Sequence, residues 1–116
     1  MNSSTINIEV VLDDKRVPEG ITWVASDSDL PQAQQAKAFI LSFWDGTART
    51  ALRMDLWTKD MRVDEMADFY FQTLMTMADS FDRATQAKEL TENLRAFASS
   101  FYKKFQQLQS NDPAQK

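Results

Sequence analysis

Apolar and polar residues alternate along residues 5 to 12, with Ile6, Ile8, Val10 and Leu12 on one side and Thr5, Asn7, Glu9 and Val11 on the other. That alternation predicts a strand with one apolar face. Asp13-Asp14-Lys15-Arg16 follows as a polar turn, and Pro18 and Gly20 interrupt regular structure. Ile21, Trp23 and Ala25 then alternate as a short second strand. Residues 27 to 35 read as a polar loop around Pro31, with room for a turn of helix.

The clearest unit is a hairpin of residues 37 to 45 and 48 to 58 around Gly46-Thr47, where a glycine at the first loop position predicts a type II′ turn. With Asp45 opposite Ala48, Phe43 faces Thr50, Leu41 faces Leu52 and Phe39 faces Met54 on an expected core face. The other face pairs Trp44 with Arg49, Ser42 with Ala51, Ile40 with Arg53 and Ala38 with Asp55. A slip of one residue would turn the apolar set outward, so burial is expected to fix the register.

After Asp60 the period lengthens to about 3.6 residues. Val63, Met66, Ala67, Tyr70, Phe71, Leu74, Met77, Ala78 and Phe81 share one side of a helix, opposite Asp64, Glu65, Asp68, Gln72 and Asp79. The apolar arc is wide enough to touch both a sheet and a second helix. From Thr85 to Leu108 a second stripe runs through Leu90, Leu94, Phe97, Phe101, Phe105 and Leu108, broadened by Ala87 and Ala98. The break falls at residues 82 to 85, with Thr85 able to cap. The expected fold is α+β: a four-stranded, mainly antiparallel sheet followed by two C-terminal helices packed on one face. It forms a single domain over residues 1–109, with residues 110–116 a flexible tail.

Composition narrows the chemistry. The 116 residues include no cysteine and no histidine, so thiol catalysis, thiolate metal sites and the commonest general base are absent. Hydrophobic residues make up 43% and charged residues 26%, an ordinary globular balance, but eight Phe, three Trp and six Met give an aromatic, sulfur-rich apolar set. A net charge of −4 with a pI near 4.7 disfavours nucleic acid and anionic membranes as partners. The opening residues lack the basic and apolar regions of a secretory signal, and no apolar run reaches the ~18 residues of a membrane span. The cytoplasm is the simplest compartment.

The stretch Arg53-Met54-Asp55-Leu56-Trp57-Thr58-Lys59-Asp60-Met61 is more idiosyncratic than a strand requires. It resembles the gliding-motility-associated protein GldC family. So do Val17-Pro18-Glu19 with Ile21 and Trp23, the Lys37, Ser42 and Trp44-Asp45 positions, and the later Phe69-Tyr70 and Met77-Ala78-Asp79. Together these take in most of residues 5 to 85. The resemblance implies a role in bacterial surface gliding but supplies no catalytic residues. The strands-then-helices order is also similar to that of the SecB-type export chaperone, on topology alone.

The best functional candidate is the sheet face carrying Ile40, Trp44, Ala51 and Trp57 with Arg49, Arg53 and Asp55. Trp44 opposite Arg49 predicts a cross-strand cation–π contact. Large aromatics with arginine match the composition of protein interfaces, whereas the plainer reading is a solvent face with tolerated aromatics. Self-association would bury this face as well as a foreign partner would, so a homo-oligomer is expected. Phe69, outside the apolar arc of its helix, is either a partner anchor or a residue packed on the loop at 27 to 35.

Carboxylates are the remaining catalytic groups: Asp13-Asp14, Asp27 and Asp29 in turns, Asp55 and Asp60 beside the motif. Turn aspartates usually bond their own backbone, and no calcium-loop spacing is present. No catalytic, cofactor-binding or metal-ligating set is therefore expected. Asp60 is expected to stop the strand or to cap the helix that follows, and Lys59 to be solvated. The expected function is a non-catalytic adaptor associated with gliding motility; the alternative is a holdase that binds unfolded or exported proteins.

Overall fold

The computed structural model describes residues 2–27 and 32–110. They form two compact units, one ending at Met61 and the other beginning at Arg62. The first is all β: β1 (Ile6–Leu12), β2 (Pro18–Ala25), β3 (Gln34–Ala36), β4 (Ala38–Asp45) and β5 (Thr50–Trp57). The second is α1 (Val63–Thr85) and α2 (Lys88–Ser110). The α+β class is as expected, but the strands divide into a three-stranded sheet β1-β2-β3 and a separate pair β4-β5, both antiparallel, rather than one four-stranded sheet. The extra strand lies in the segment expected to be loop. β3 has only three residues, too few to display a period, and the chain bends at Lys37 before β4 begins. The expected helical turn near Pro31, Asp29, and the tail from residue 111 lie outside the described residues.

In the three-stranded sheet the alternation holds. Ile6, Ile8 and Val10 lie opposite Ala25, Trp23 and Ile21, so all six share one face. β2 is the central strand, and Ile21, with Val10 on one side and Ala36 on the other, is only 2% exposed. The β1–β2 turn is set by Asp13. Its carboxylate accepts the backbone N–H groups of Lys15 at 2.8 Å and Val17 at 2.9 Å. Arg16 takes the left-handed conformation (φ 64°) that brings the chain back into register.

The β4–β5 hairpin keeps its expected faces but not its expected register. Asp45 pairs with Thr50, Trp44 with Ala51, Phe43 with Leu52 and Leu41 with Met54, two residues farther along β5 than the glycine turn implied. The cause is Asp45. Its carboxylate accepts the N–H groups of Thr47 at 3.0 Å and Ala48 at 3.2 Å, and its carbonyl accepts Arg49 N–H at 2.8 Å. These bonds close a four-residue loop with Arg49 left-handed at φ 57°, whereas Gly46 keeps a negative φ, which a type II′ turn does not allow. Arg49 therefore sits in the turn and not across from Trp44, which removes the expected cross-strand pair. Phe43, Leu52 and Met54, on the face expected to be core, are exposed.

In the helical unit Glu65 accepts the backbone N–H of Arg62 at 3.1 Å, and Asp64 and Glu65 place negative charge in the first turn of α1. The capping position is thus Arg62, not Asp60. α1 ends at a left-handed Gln86, whose N–H reaches the Asp82 carbonyl at 2.8 Å; the break comes just after the expected 82 to 85, and the Thr85 hydroxyl accepts the Ala87 N–H at 3.1 Å. The two helices run antiparallel. Phe71 meets Tyr102 at 4.9 Å, Arg95 reaches Asp79 at 2.9 Å, and Lys88 reaches Asp82 at 2.8 Å. Their contact runs through small residues, since Ala78, Thr91 and Ala98 are fully buried.

Candidate functional site

The parity of β4 and β5 decides which side chains share a face. Ala38, Ile40, Ser42 and Trp44 lie across from Trp57, Asp55, Arg53 and Ala51, so Ile40, Trp44, Trp57 and Arg53 share one surface as the sequence indicates. The two indoles are not neighbours. Trp44 sits at the turn end and Trp57 at the open end, roughly 20 Å apart at about 3.3 Å per residue. Between them Arg53 Nε binds Asp55 Oδ2 at 3.0 Å along one strand. Trp44 is 65% exposed and Trp57 54%, while Ile40 is half-buried. The surface is a strip with an aromatic anchor at each end, a half-buried aliphatic residue and an internally neutralised ion pair. Such a strip has the donors and apolar area to hold a protein partner, and its one carboxylate is engaged by arginine. Phe69 belongs to the helical unit, where it is half-buried and meets Tyr70 edge-on at 6.3 Å.

The residues that follow Trp57 do something the sequence does not reveal. Thr58 is 2% exposed. Its N–H donates to the Lys37 carbonyl at 2.8 Å, and its hydroxyl lies 2.6 Å from Asp60 Oδ1. Lys59 N–H donates to the Pro18 carbonyl at 2.9 Å, and its ammonium bridges Asp13 at 3.0 Å and Glu19 at 3.4 Å. Lys59 is exposed, as expected, and is in addition an ion-pair partner of both carboxylates. Thr58-Lys59-Asp60 ties the end of β5 to both β2 and the β1–β2 turn, fixing the position of Trp57 on its strand. The same residues line an open depression of about 820 Å³ with Glu19, Thr22 and Gln35. The charges on its rim are already matched within the chain.

The electrostatics follow from these bonds. The Val17 N–H and then the Lys59 ammonium hold Asp13 below the usual carboxylate range. The Asp13 and Glu19 carboxylates push Lys59 up. The Thr58 hydroxyl, helped by Lys37, lowers Asp60. Because Asp13 is depressed in the folded chain, its contribution is complete above the ordinary value near ~3.9 and is lost as pH falls through the folded value. Lys59 is raised, so its contribution is complete below the ordinary ~10.4 and is lost as pH rises through its folded value. Between those limits the clamp is intact. Asp13→Asn should lower the melting temperature at neutral pH, and its difference from the parent should close as both are titrated into acid. A difference that persists at the acid end would show that the turn bonds, not the charge, carry the effect.

Among the described residues, no helix is long and apolar enough to cross a membrane. The family model described as gliding motility-associated protein GldC-like matches residues 18–107, from the start of β2 through most of α2. The chain belongs to the GldC-like family. The match takes in the whole β4–β5 strip and the Thr58-Lys59-Asp60 clamp, and it extends over the C-terminal helix, where sequence reading alone finds a generic amphipathic pattern. Membership associates the chain with gliding motility. Comparison with curated proteins and with solved structures finds no match.

Proposed function

We propose that the chain is a non-catalytic accessory protein of the gliding-motility system, working in the cytoplasm as an adaptor. It binds a protein partner through the Trp44–Ile40–Trp57 strip. The observation that carries this reading is the exposure of two tryptophans on one sheet face, at 65% and 54%, flanking a side-chain pair that is already neutral. Burying such indoles is among the largest single contributions an interface residue makes. The non-catalytic part is supported by where the acids are spent. Asp13 and Asp45 close turns, Asp55 pairs with Arg53, and Asp60 holds Thr58.

The test is capture of partners from the protein's own cells by tagged parent and by an Ile40→Glu/Trp44→Ala variant. Motility or envelope proteins recovered by the parent should fall by roughly tenfold in the variant, as expected when hot-spot side chains are removed. Far-ultraviolet circular dichroism should be unchanged. A variant that retains its partners, or unfolds, removes the strip from consideration. One observation favours a second reading as a holdase: Phe43, Leu52 and Met54 are exposed on the opposite face, so the hairpin is apolar on both sides. A holdase would suppress aggregation of unrelated unfolded proteins, which a specific adaptor would not.

A further inference from the structure

The helical hairpin has two unlike sides. Asp79, Asp82, Lys88, Glu92 and Arg95 fall on one side of the plane through the two axes, where Arg95 pairs with Asp79 and Glu92, and Lys88 with Asp82. On the other side α1 carries Val63, Tyr70 and Met77, and α2 carries Leu90, Phe97 and Leu108, with Phe101 tilted against Phe97 at 6.4 Å. Helical angles from the antiparallel pairing bring both stripes to the same side. All six of these larger side chains are exposed, Phe97 at 59% and Val63 at 69%. The residues buried between the helices are small ones. The hairpin thus turns its greatest apolar area outward, as a contiguous patch of the kind that marks an interaction surface.

We infer that this face is the contact with a second copy of the chain, whose hairpin packs on it to make a four-helix bundle. The spacing argues for helices as the occupant. Val63, Tyr70 and Met77 recur every seventh residue, as do Leu90 and Phe97, and that is the repeat by which helices interlock at a crossing near 20°. The chemistry argues for a copy of itself. The stripe positions are uncharged, so two of them meet face to face without like-charge repulsion, while the charged sides point away. A lipid surface is disfavoured because the polar side has no excess of lysine and arginine, and Lys88 and Arg95 are paired there with Asp82, Asp79 and Glu92. The six exposed residues offer on the order of 600 Å², the larger part of the ~800 Å² per partner of a standard interface. The inference does not rest on the tryptophan strip, which belongs to the sheet unit.

Light scattering on the eluting full chain tests it. The parent should have twice the 13.3 kDa chain mass, and Phe97→Glu should elute at the single-chain mass with its helical signal retained. Trp44→Ala should leave the mass doubled. A single-chain parent, a Phe97→Glu that stays dimeric, or a Trp44→Ala that dissociates would each overturn the inference. Should Phe97→Glu fail to fold, the absence of cysteine gives a second route. Met77→Cys should be joined into dimers by a short bismaleimide and Glu92→Cys, on the charged side, should not. Equal joining of both, or of neither, overturns the inference.

Discussion

Replacing Ile21 with alanine should destabilise the β unit by about 2–5 kcal/mol, the range for truncating a buried aliphatic side chain. Ile21 is the one large apolar side chain among the described residues that is fully enclosed. It sits on the central strand, with β1 and β3 on either side and Val10 and Ala36 as cross-strand partners. The walls of its site are strands held in register by backbone bonds, so they collapse poorly onto a cavity. A domain with a net stability of roughly 5–15 kcal/mol loses a large share of it. The midpoint of urea unfolding, followed by tryptophan fluorescence, should fall with the slope unchanged. A loss under about 1 kcal/mol would mean the site relaxes, and the three-stranded sheet is then not the stable heart of the unit. The consequence reaches the candidate site. β2 accepts the Lys59 N–H through Pro18, so a loosened β2 frees the clamp that positions Trp57.

Much of this was legible along the chain, and the misses have definite causes. Period-two and 3.6-residue patterns gave β1, β2, the β4–β5 hairpin and both helices, because each is long enough to display its repeat. β3 is three residues and displays none. In the β4–β5 hairpin, Gly46 suggested the tightest turn, while Asp45 closes a longer one with its own carboxylate. The resulting shift of two residues preserves parity. Ile40, Trp44 and Trp57 therefore share a face in either register, whereas the pairing of Trp44 with Arg49 depended on register itself and failed. The apolar arcs of the helices are wide enough to touch both a sheet and a second helix, yet the fully buried residues on them are small ones. The bond from Lys59 to Asp13 spans 46 positions. No local pattern predicts it; its trace in the sequence is a Thr-Lys-Asp run that strand alternation does not require.

Two adjacent residues on α2 separate the fold of the hairpin from its use, and their glutamate variants should behave in opposite ways. Ala98 is fully buried, and Phe97 is 59% exposed. At Ala98 the helices meet through a side chain of one carbon, so a glutamate there must either force them apart or bury a carboxylate without a partner. Both are severe, on the order of 3–5 kcal/mol for an unpaired buried charge. Ala98→Glu should therefore lose most of its helical circular dichroism at ordinary temperature. At Phe97 the same substitution meets water in the isolated chain, and helix propensity changes by only a few tenths of a kcal/mol. Phe97→Glu should keep its helices and lose only the paired state. If Ala98→Glu keeps a native helical signal, the contact does not run through the small residues. If both variants unfold alike, the apolar face is needed for the helices to form at all, and pairing and folding of the hairpin are then one event.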